Sequence, residues 1–199
     1  MVHIVLIRPG STDYDVQGRI QGSLDIPLNE RGLAEVVQTA EQLRGVQVGG
    51  QGIEIIYAPT AQPPLQTAEV IAKTLGIKLK KIERLDNLHQ GLWEGMLVED
   101  VRRKQPKVYR QWQEQPENVC PPEGEMLGDA DERVRTAMTK LLKRHKEGVI
   151  GLVLPEPLFS LARRFVTRSE LGDLWKAPNG RGRFEILAVD PDEVLAASV

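Results

Sequence analysis

The chain has 199 residues, a net charge of −2, 41% apolar and 27% charged residues, an ordinary globular composition large enough for one α/β domain with a substantial core. That charge gives no electrostatic reason to bind nucleic acid or an anionic membrane surface, and no apolar run approaches the roughly 20 residues that span a bilayer. The N-terminus lacks the basic-then-apolar order of a signal peptide. With Cys120 as the only cysteine an intramolecular disulfide is excluded, so the expected compartment is the cytoplasm.

In chain order, Ile4-Val5-Leu6-Ile7 is an unbroken, mostly β-branched apolar run and predicts a strand buried on both faces. Arg8, Pro9, Gly10, Ser11 and Thr12 follow, at the kind of carboxyl strand end where open α/β sheets bind ligands. A guanidinium there suits a phosphate or carboxylate. Gly18 to Gly22 and Asp25 to Leu28 form a loop, and Asn29-Glu30-Arg31-Gly32 leads into a helix with Leu33, Val36, Val37, Ala40 and Leu43 at helical spacing. Gly45 to Gly52, with four glycines, is a turn. Ile53 to Tyr57 predicts the second strand, Leu65 to Leu75 a helix closed by Gly76, and Ile77 to Ile82, alternating apolar residues with lysines, a half-exposed strand.

Gly91 to Gly95 predicts a turn, Val98 to Gln113 a charged helix, Pro116 to Gly128 a loop and Ala130 to His145 a helix. Val149 to Leu154 is another fully apolar strand, Leu158 to Phe165 a helix and Arg183 to Val189 a last strand, with a short tail after Pro191. This alternation predicts a three-layer α/β fold, a mostly parallel sheet with helices on both faces. The expected organisation is a single domain over 1–199 with a cap-like insertion at about 87–127.

Arg8, Gly10, Ser11, Thr12, Gly18, Arg19, Gln21, Gly22, Asp25, Pro27, Leu28 and Gly32 resemble, in order, the opening pattern of the histidine phosphatase superfamily, which holds the cofactor-dependent phosphoglycerate mutases and their phosphatase relatives. The end of Pro59 to Ala68 resembles the family's second motif, and Gly91, Trp93, Glu94 and Gly95 its third. The resemblance runs over nearly the whole chain and implies a phosphoglycerate mutase-like fold.

It also implies phosphoryl transfer through a phosphohistidine, which needs a nucleophilic imidazole, cations around the transferring group and an acid for the leaving oxygen. At the family's positions for these groups stand Pro9 for the nucleophilic His, Pro63 for a second Arg, Asn87 for the acidic Glu and Pro155 for a second His. Asp15 stands where the family has a phosphate-binding Asn, an anion where an anion should bind. Arg8 remains, with Thr12, Arg19 and Gln21 beside it as a vestigial anion site. Loss of a covalent nucleophile costs on the order of 10⁴–10⁶ in rate, and proline offers neither a nucleophile nor a backbone N–H.

The expectation is therefore a catalytically inactive pseudoenzyme without cofactor or metal, a scaffold or regulator for an unknown protein partner. The pocket is expected to be no longer strongly electropositive and to bind phosphate in the millimolar range or more weakly. Two alternatives stay open: a weak sensor of a small phosphate or carboxylate, and a low-activity phosphomonoesterase or phosphoglycerate mutase-like phosphatase. Analogy with relatives adds a homodimer.

Substitute nucleophiles are few. His3 begins a strand, His145 lies in a solvated basic helix end, and His89 follows Asn87 closely enough to be the serious candidate. Cys120 has no histidine near it in sequence, and Ser11 without a base is a hydrogen-bonding group. Trp93 is expected as a packing anchor and Glu94 as a brace of its loop.

Overall fold

Residues Gly148 to Val153 are buried at every position, which an extended segment achieves at the centre of a sheet covered on both faces. In the computed structural model, which describes residues 1–175 and 183–197, this segment is strand β4. The elements before it are β1 (Val2–Ile7), α1 (Asp13–Gln17), α2 (Glu30–Arg44), β2 (Ile55–Ala58), α3 (Pro64–Leu75), β3 (Lys78–Lys81), α4 (Val98–Lys104), α5 (Pro106–Glu114) and α6 (Leu127–Arg144); after it come α7 (Leu158–Thr167), β5 (Phe184–Val189) and α8 (Pro191–Ala196). The sheet order is β3-β2-β4-β1-β5. β1 and β4 run parallel with Val2 opposite Gly148 and Ile7 opposite Val153, and β2 is parallel to both β4 and β3. β5 adds an antiparallel edge against β1. The expected mostly parallel α/β sheet is the one found.

Alternation along the strands divides the core in two. Ile4 and Leu6 of β1 join Ile150 and Leu152 of β4 beneath Val134, Met138 and Leu142 of α6 and Leu158 and Phe159 of α7. Val5 and Ile7 join Val149 and Val153 on the other face, against Val36, Ala40 and Leu43 of α2 and Ala68 and Ile71 of α3. Each such fully buried side chain contributes about 1.5–3 kcal/mol relative to exposure.

Several expected boundaries move, for local reasons. The helix expected over Val98 to Gln113 is two helices, because Gln105 sits at φ −133°, ψ 57°; the following Pro106 disfavours helical geometry before it and opens α5, where its missing N–H costs nothing. The tail after Pro191 is helix α8, whose Asp190 carboxylate accepts from the N–H groups of Asp192 and Glu193 at 3.0 and 3.3 Å, an N-cap with proline at the first position. The segment expected as a loop between Pro116 and Gly128 ends at Leu127, where α6 begins.

The loop leaving β1 lies directly on α2. A Cβ built on Gly32 would stand 2.0 Å from the Ser11 carbonyl oxygen, and one on Gly10 would stand 2.5 Å from the Gly32 oxygen, so glycine at both positions is what permits the approach. Among the described residues no helix is long and apolar enough to cross a membrane.

Candidate active site

Because β1 and β4 are parallel, the residues that leave them meet at one end of the sheet. Arg8, Pro9, Gly10 and Ser11 from β1 and Pro155, Glu156 and Pro157 from β4 line one cavity of about 560 Å³. Arg19, Gln21, Asp15, Pro63 and Asn87 line it too. The four positions singled out by sequence, Pro9, Pro63, Asn87 and Pro155, thus converge, as do Arg8, Arg19 and Gln21. Thr12, also named as an anion-site residue, is wholly buried instead and works as the N-cap of α1.

Arg8 is the deepest charge, 6% exposed, and a buried cation persists only when paired. Its Nη2 lies 3.7 Å from Glu156 Oε1 and 3.8 Å from Glu185 Oε1, and its guanidinium stacks 3.7 Å above the ring centroid of Phe159, a cation–π arrangement. The carboxylates are themselves held: Ser160 Oγ donates to Glu156 Oε2 at 2.7 Å, and Arg163 Nε donates to Glu185 Oε2 at 2.9 Å.

Asp15 is not a free anion opposing a ligand. Its Oδ2 accepts from the Thr12 N–H at 2.7 Å and the Thr12 hydroxyl at 2.8 Å, closing a capping box with Thr12. Its charge is committed to starting α1.

Two cations were missed by sequence reading. Arg31 and Arg183 both line the cavity. Arg183 Nη1 donates to the Pro9 carbonyl at 2.9 Å, its guanidinium also pairs with Glu35, and Arg31 Nε donates to Glu35 Oε1 at 3.0 Å. Glu35 Oε2 accepts from the Ser11 N–H at 3.1 Å and the Ser11 hydroxyl at 2.7 Å. Burial alone would raise the Glu35 pKa, but the Ser11 hydrogen bonds, the Arg183 charge and the Arg31 bond outweigh it and hold the carboxyl below its ordinary value. Arg31 follows Asn29-Glu30 and reads locally as helix start, while Arg183 is 174 residues from Pro9, so no local pattern pointed to either.

The lining therefore carries Arg8, Arg19, Arg31 and Arg183 against the carboxylates of Asp15 and Glu156. Arg31 from α2 and Arg183 from the lead into β5 bring guanidinium groups to a lining that lacks one at Pro63, and Glu35 and Glu185, beside them, pair with Arg31, Arg183 and Arg8.

His89, His145, Cys120, Trp93 and Glu94 fall outside the cavity lining. His89 is exposed and its Nδ1 accepts from the Gly91 N–H at 3.0 Å. His145, expected on a solvated face, instead stands 2.8 Å from the Tyr57 hydroxyl; burial, with Arg144 and Lys80 against Glu54, lowers its pKa. Cys120 is free and exposed. Trp93 is 2% exposed, and Glu94 Oε1 accepts from Ser23 N–H, Ser23 Oγ–H and Gln90 N–H at 2.8, 2.8 and 3.0 Å, the bracing role expected of it. Asn87 Nδ2 donates to the Gly22 carbonyl at 2.9 Å. Behind it, Arg133 donates to the carbonyls of Arg84, Asp86 and Asn87 at 2.8, 2.6 and 3.3 Å, fixing the turn that presents Asn87. Among the described residues no cluster of His, Cys, Asp and Glu could hold a metal ion.

A mostly parallel α/β sheet with a guanidinium-lined pocket at its strand ends has the architecture in which open sheets bind ligands, here with donors suited to an anion. The chain belongs to the histidine phosphatase superfamily (branch 1), whose family profile matches residues 4–197. It is 32% identical over 153 residues to phosphoserine phosphatase 1 of Hydrogenobacter thermophilus, covering 77% of this chain and 70% of that protein. It is 29% identical to the metal-independent phosphoserine phosphatase of Arabidopsis thaliana, over 89% of this chain and 74% of the relative. It also matches phosphoglycerate mutase-like protein 4 of Arabidopsis thaliana at 29% identity, over 72% of this chain but 61% of that protein. Among solved structures, Bacillus stearothermophilus YhfR superposes with a TM-score of 0.81 at 27% identity, covering 96% of this chain and 92% of YhfR.

These relatives overturn the expectation of an inactive scaffold for a protein partner. The relatives from Hydrogenobacter thermophilus and, over 89% of the chain, from Arabidopsis thaliana are named as phosphoserine phosphatases, which points to enzymatic function. In the pocket, prolines at positions 9 and 155 remove one route for phosphoryl transfer but leave arginines lining the strand ends, and guanidinium groups suit a phosphoryl group.

Proposed function

We propose that the chain is a phosphomonoesterase of low turnover, binding the phosphoryl group of its ester at Arg8 and hydrolysing it by direct attack of water. The observation that carries this reading is the convergence of Arg8, Arg19, Arg31 and Arg183 on one pocket that also holds the Glu156 carboxylate. Catalysis of phosphoryl transfer is mostly positioning and charge stabilisation, both of which guanidinium groups supply. In the proposed step a water oxygen bonds to phosphorus and its proton passes to Glu156. The ester P–O bond breaks, and the oxygen leaves with the electron pair. Glu156 suits the task because it sits beside Arg8 at the end of β4 and is oriented by Ser160. A site without its covalent nucleophile retains about 10³–10⁴-fold acceleration over water in comparable cases, consistent with slow turnover. The names of the relatives support the reaction class.

The test is release of p-nitrophenol from p-nitrophenyl phosphate by repurified protein, compared with Arg8→Lys and Glu156→Gln. Arg8→Lys keeps the charge but loses the forked donor geometry. Saturable turnover that falls at least about 30-fold in each variant is expected. Turnover absent from the wild type, or indifferent to Arg8→Lys, overturns the reading.

A further inference from the structure

Trp112 and Trp175 line part of the cavity, while the charge of Arg8 is shared with two groups outside the lining, Glu185 and Arg163. Glu185 stands opposite Leu6 in the β1–β5 pairing. Residues directly opposite in a ladder share a face, so Glu185 lies on the side of the sheet where Leu6 packs with Phe159. On that side α7 places the Phe159 ring under the Arg8 guanidinium. Four residues on, along the same helix face, comes Arg163, whose Nε donates to Glu185 Oε2 at 2.9 Å. The other oxygen, Oε1, stands 3.8 Å from Arg8 Nη2. One carboxylate is thus divided between two guanidinium groups.

Arg163 is itself set in place. Its Nη1 donates to Ser169 Oγ at 3.0 Å, and Ser169 comes within reach because Arg168, at φ 55° and ψ 24°, ends α7 with a left-handed residue. The charges form a row of alternating sign, Glu156, Arg8, Glu185 and Arg163. A phosphoryl group arriving at Arg8 competes with the carboxylates already beside it. How strongly Glu185 competes depends on what its other oxygen holds. With Arg163 in place that oxygen is engaged away from Arg8; without it, the whole negative charge would be left to Arg8.

Resting on the reading above that the phosphoryl group is bound at Arg8, we infer that Arg163 is a positioning residue for that site: it holds Glu185 by its second oxygen and so keeps Arg8 receptive to an anion, although it lies outside the cavity lining. Loss of Arg163 acts in two separable ways. Its positive charge is withdrawn from the neighbourhood of the site, which weakens anion binding whatever stands at position 185. It also releases Glu185 to pair with Arg8, and that effect exists only while position 185 carries a carboxylate. A residue that merely packs α7 would not distinguish the two backgrounds.

The test is a double-mutant cycle read by calorimetric titration with inorganic phosphate at constant ionic strength. Arg163→Met, which keeps an apolar stem in place, is measured alone and together with Glu185→Gln, beside Glu185→Gln, Arg8→Lys and wild type. Arg163→Met is expected to weaken phosphate binding at least about fivefold on its own and less than about twofold beside Glu185→Gln; Glu185→Gln alone should tighten binding. Arg163→Gln takes the place of Arg163→Met if circular dichroism shows that the latter is not folded. Equal losses in both backgrounds, no loss in either, or weaker binding by Glu185→Gln alone overturn the positioning role and leave the phosphate site standing. Phosphate binding that is indifferent to Arg8→Lys, or absent from the wild type, overturns the phosphomonoesterase reading and this inference with it.

Discussion

At the strand ends Arg8 is held between Glu156 and Glu185 over the ring of Phe159, whereas on the aromatic side of the same pocket Trp112 and Trp175 are held by other rings and a backbone carbonyl. The first wall is a set of alternating charges in which each group is the counterion of the next. Removing one leaves its neighbours partly buried and unbalanced, at a cost that exceeds the value of the lost contact. The second wall is packing, where a truncation leaves a hole but no stranded charge. Perturbations of the first should therefore depend on salt and on the neighbouring charges, and perturbations of the second should not.

The largest effect expected from this contrast is at Arg8. Arg8→Ala should cost about 3–5 kcal/mol in urea denaturation, with a smaller loss when Glu156→Gln and Glu185→Gln are already in place. A loss unchanged in that background would mean that the charges are not coupled. Next is Trp112→Ala, expected to cost about 3 kcal/mol through its cavity with the same value in low and high salt; salt dependence would break the distinction between the walls. Gly32→Ala comes third at about 2 kcal/mol, because its Cβ would collide with the Ser11 carbonyl. It should also weaken phosphate binding by displacing the loop that carries Pro9 to Ser11, and calorimetry with inorganic phosphate checks this.

Glu35→Gln should cost about 1–2 kcal/mol at pH 7. The folded chain holds this carboxyl below its ordinary value of 4.5, so its stabilisation is present above that value and disappears as pH falls through the folded pKa. Wild type and variant should converge in thermal melts below that point, and a difference persisting there would refute the assignment. The smallest effect lies far from the pocket: Tyr57→Phe removes the hydrogen bond to His145 and should cost about 1 kcal/mol without changing turnover.

Much of the frame was legible because it is written in contiguous residues. Ile4 to Ile7 and Val149 to Leu154 are apolar runs that have no use except at a sheet centre, and Arg8 at the end of the first marks the pocket. The break at Pro106 and the cap at Asp190-Pro191 were also written locally, in residues whose geometric demands are fixed, yet one helix over Val98 to Gln113 and a bare tail after Pro191 were expected instead. Part of the pocket's lining was not legible. It includes Arg31, presented from α2, and Arg183, brought beside Pro9 by the antiparallel edge strand, and neither position has a neighbour in sequence that announces the meeting. The inactive reading rested on the groups missing at Pro9, Pro63, Asn87 and Pro155, and the relatives named as phosphatases overturn it. Asp15 shows the reverse error, since a carboxylate in the right loop had its charge absorbed by a helix cap.

The position of β1 within the sheet carries a consequence for how the chain is made. Its six residues pair with β4 and β5, while β2 and β3 pair with each other across the single helix α3. During translation the β2–α3–β3 unit can form early, but Val-His-Ile-Val-Leu-Ile must wait, apolar and unpaired, until β4 has left the ribosome. At about 5–20 residues per second that delay is on the order of 10 s. Pairing over such separations is slow in any case, and a waiting apolar strand is the segment most open to aggregation or to chaperone capture. Glu156 reaches Arg8 only when β4 slides between β2 and β1, so the site is among the last parts of the molecule to come into being.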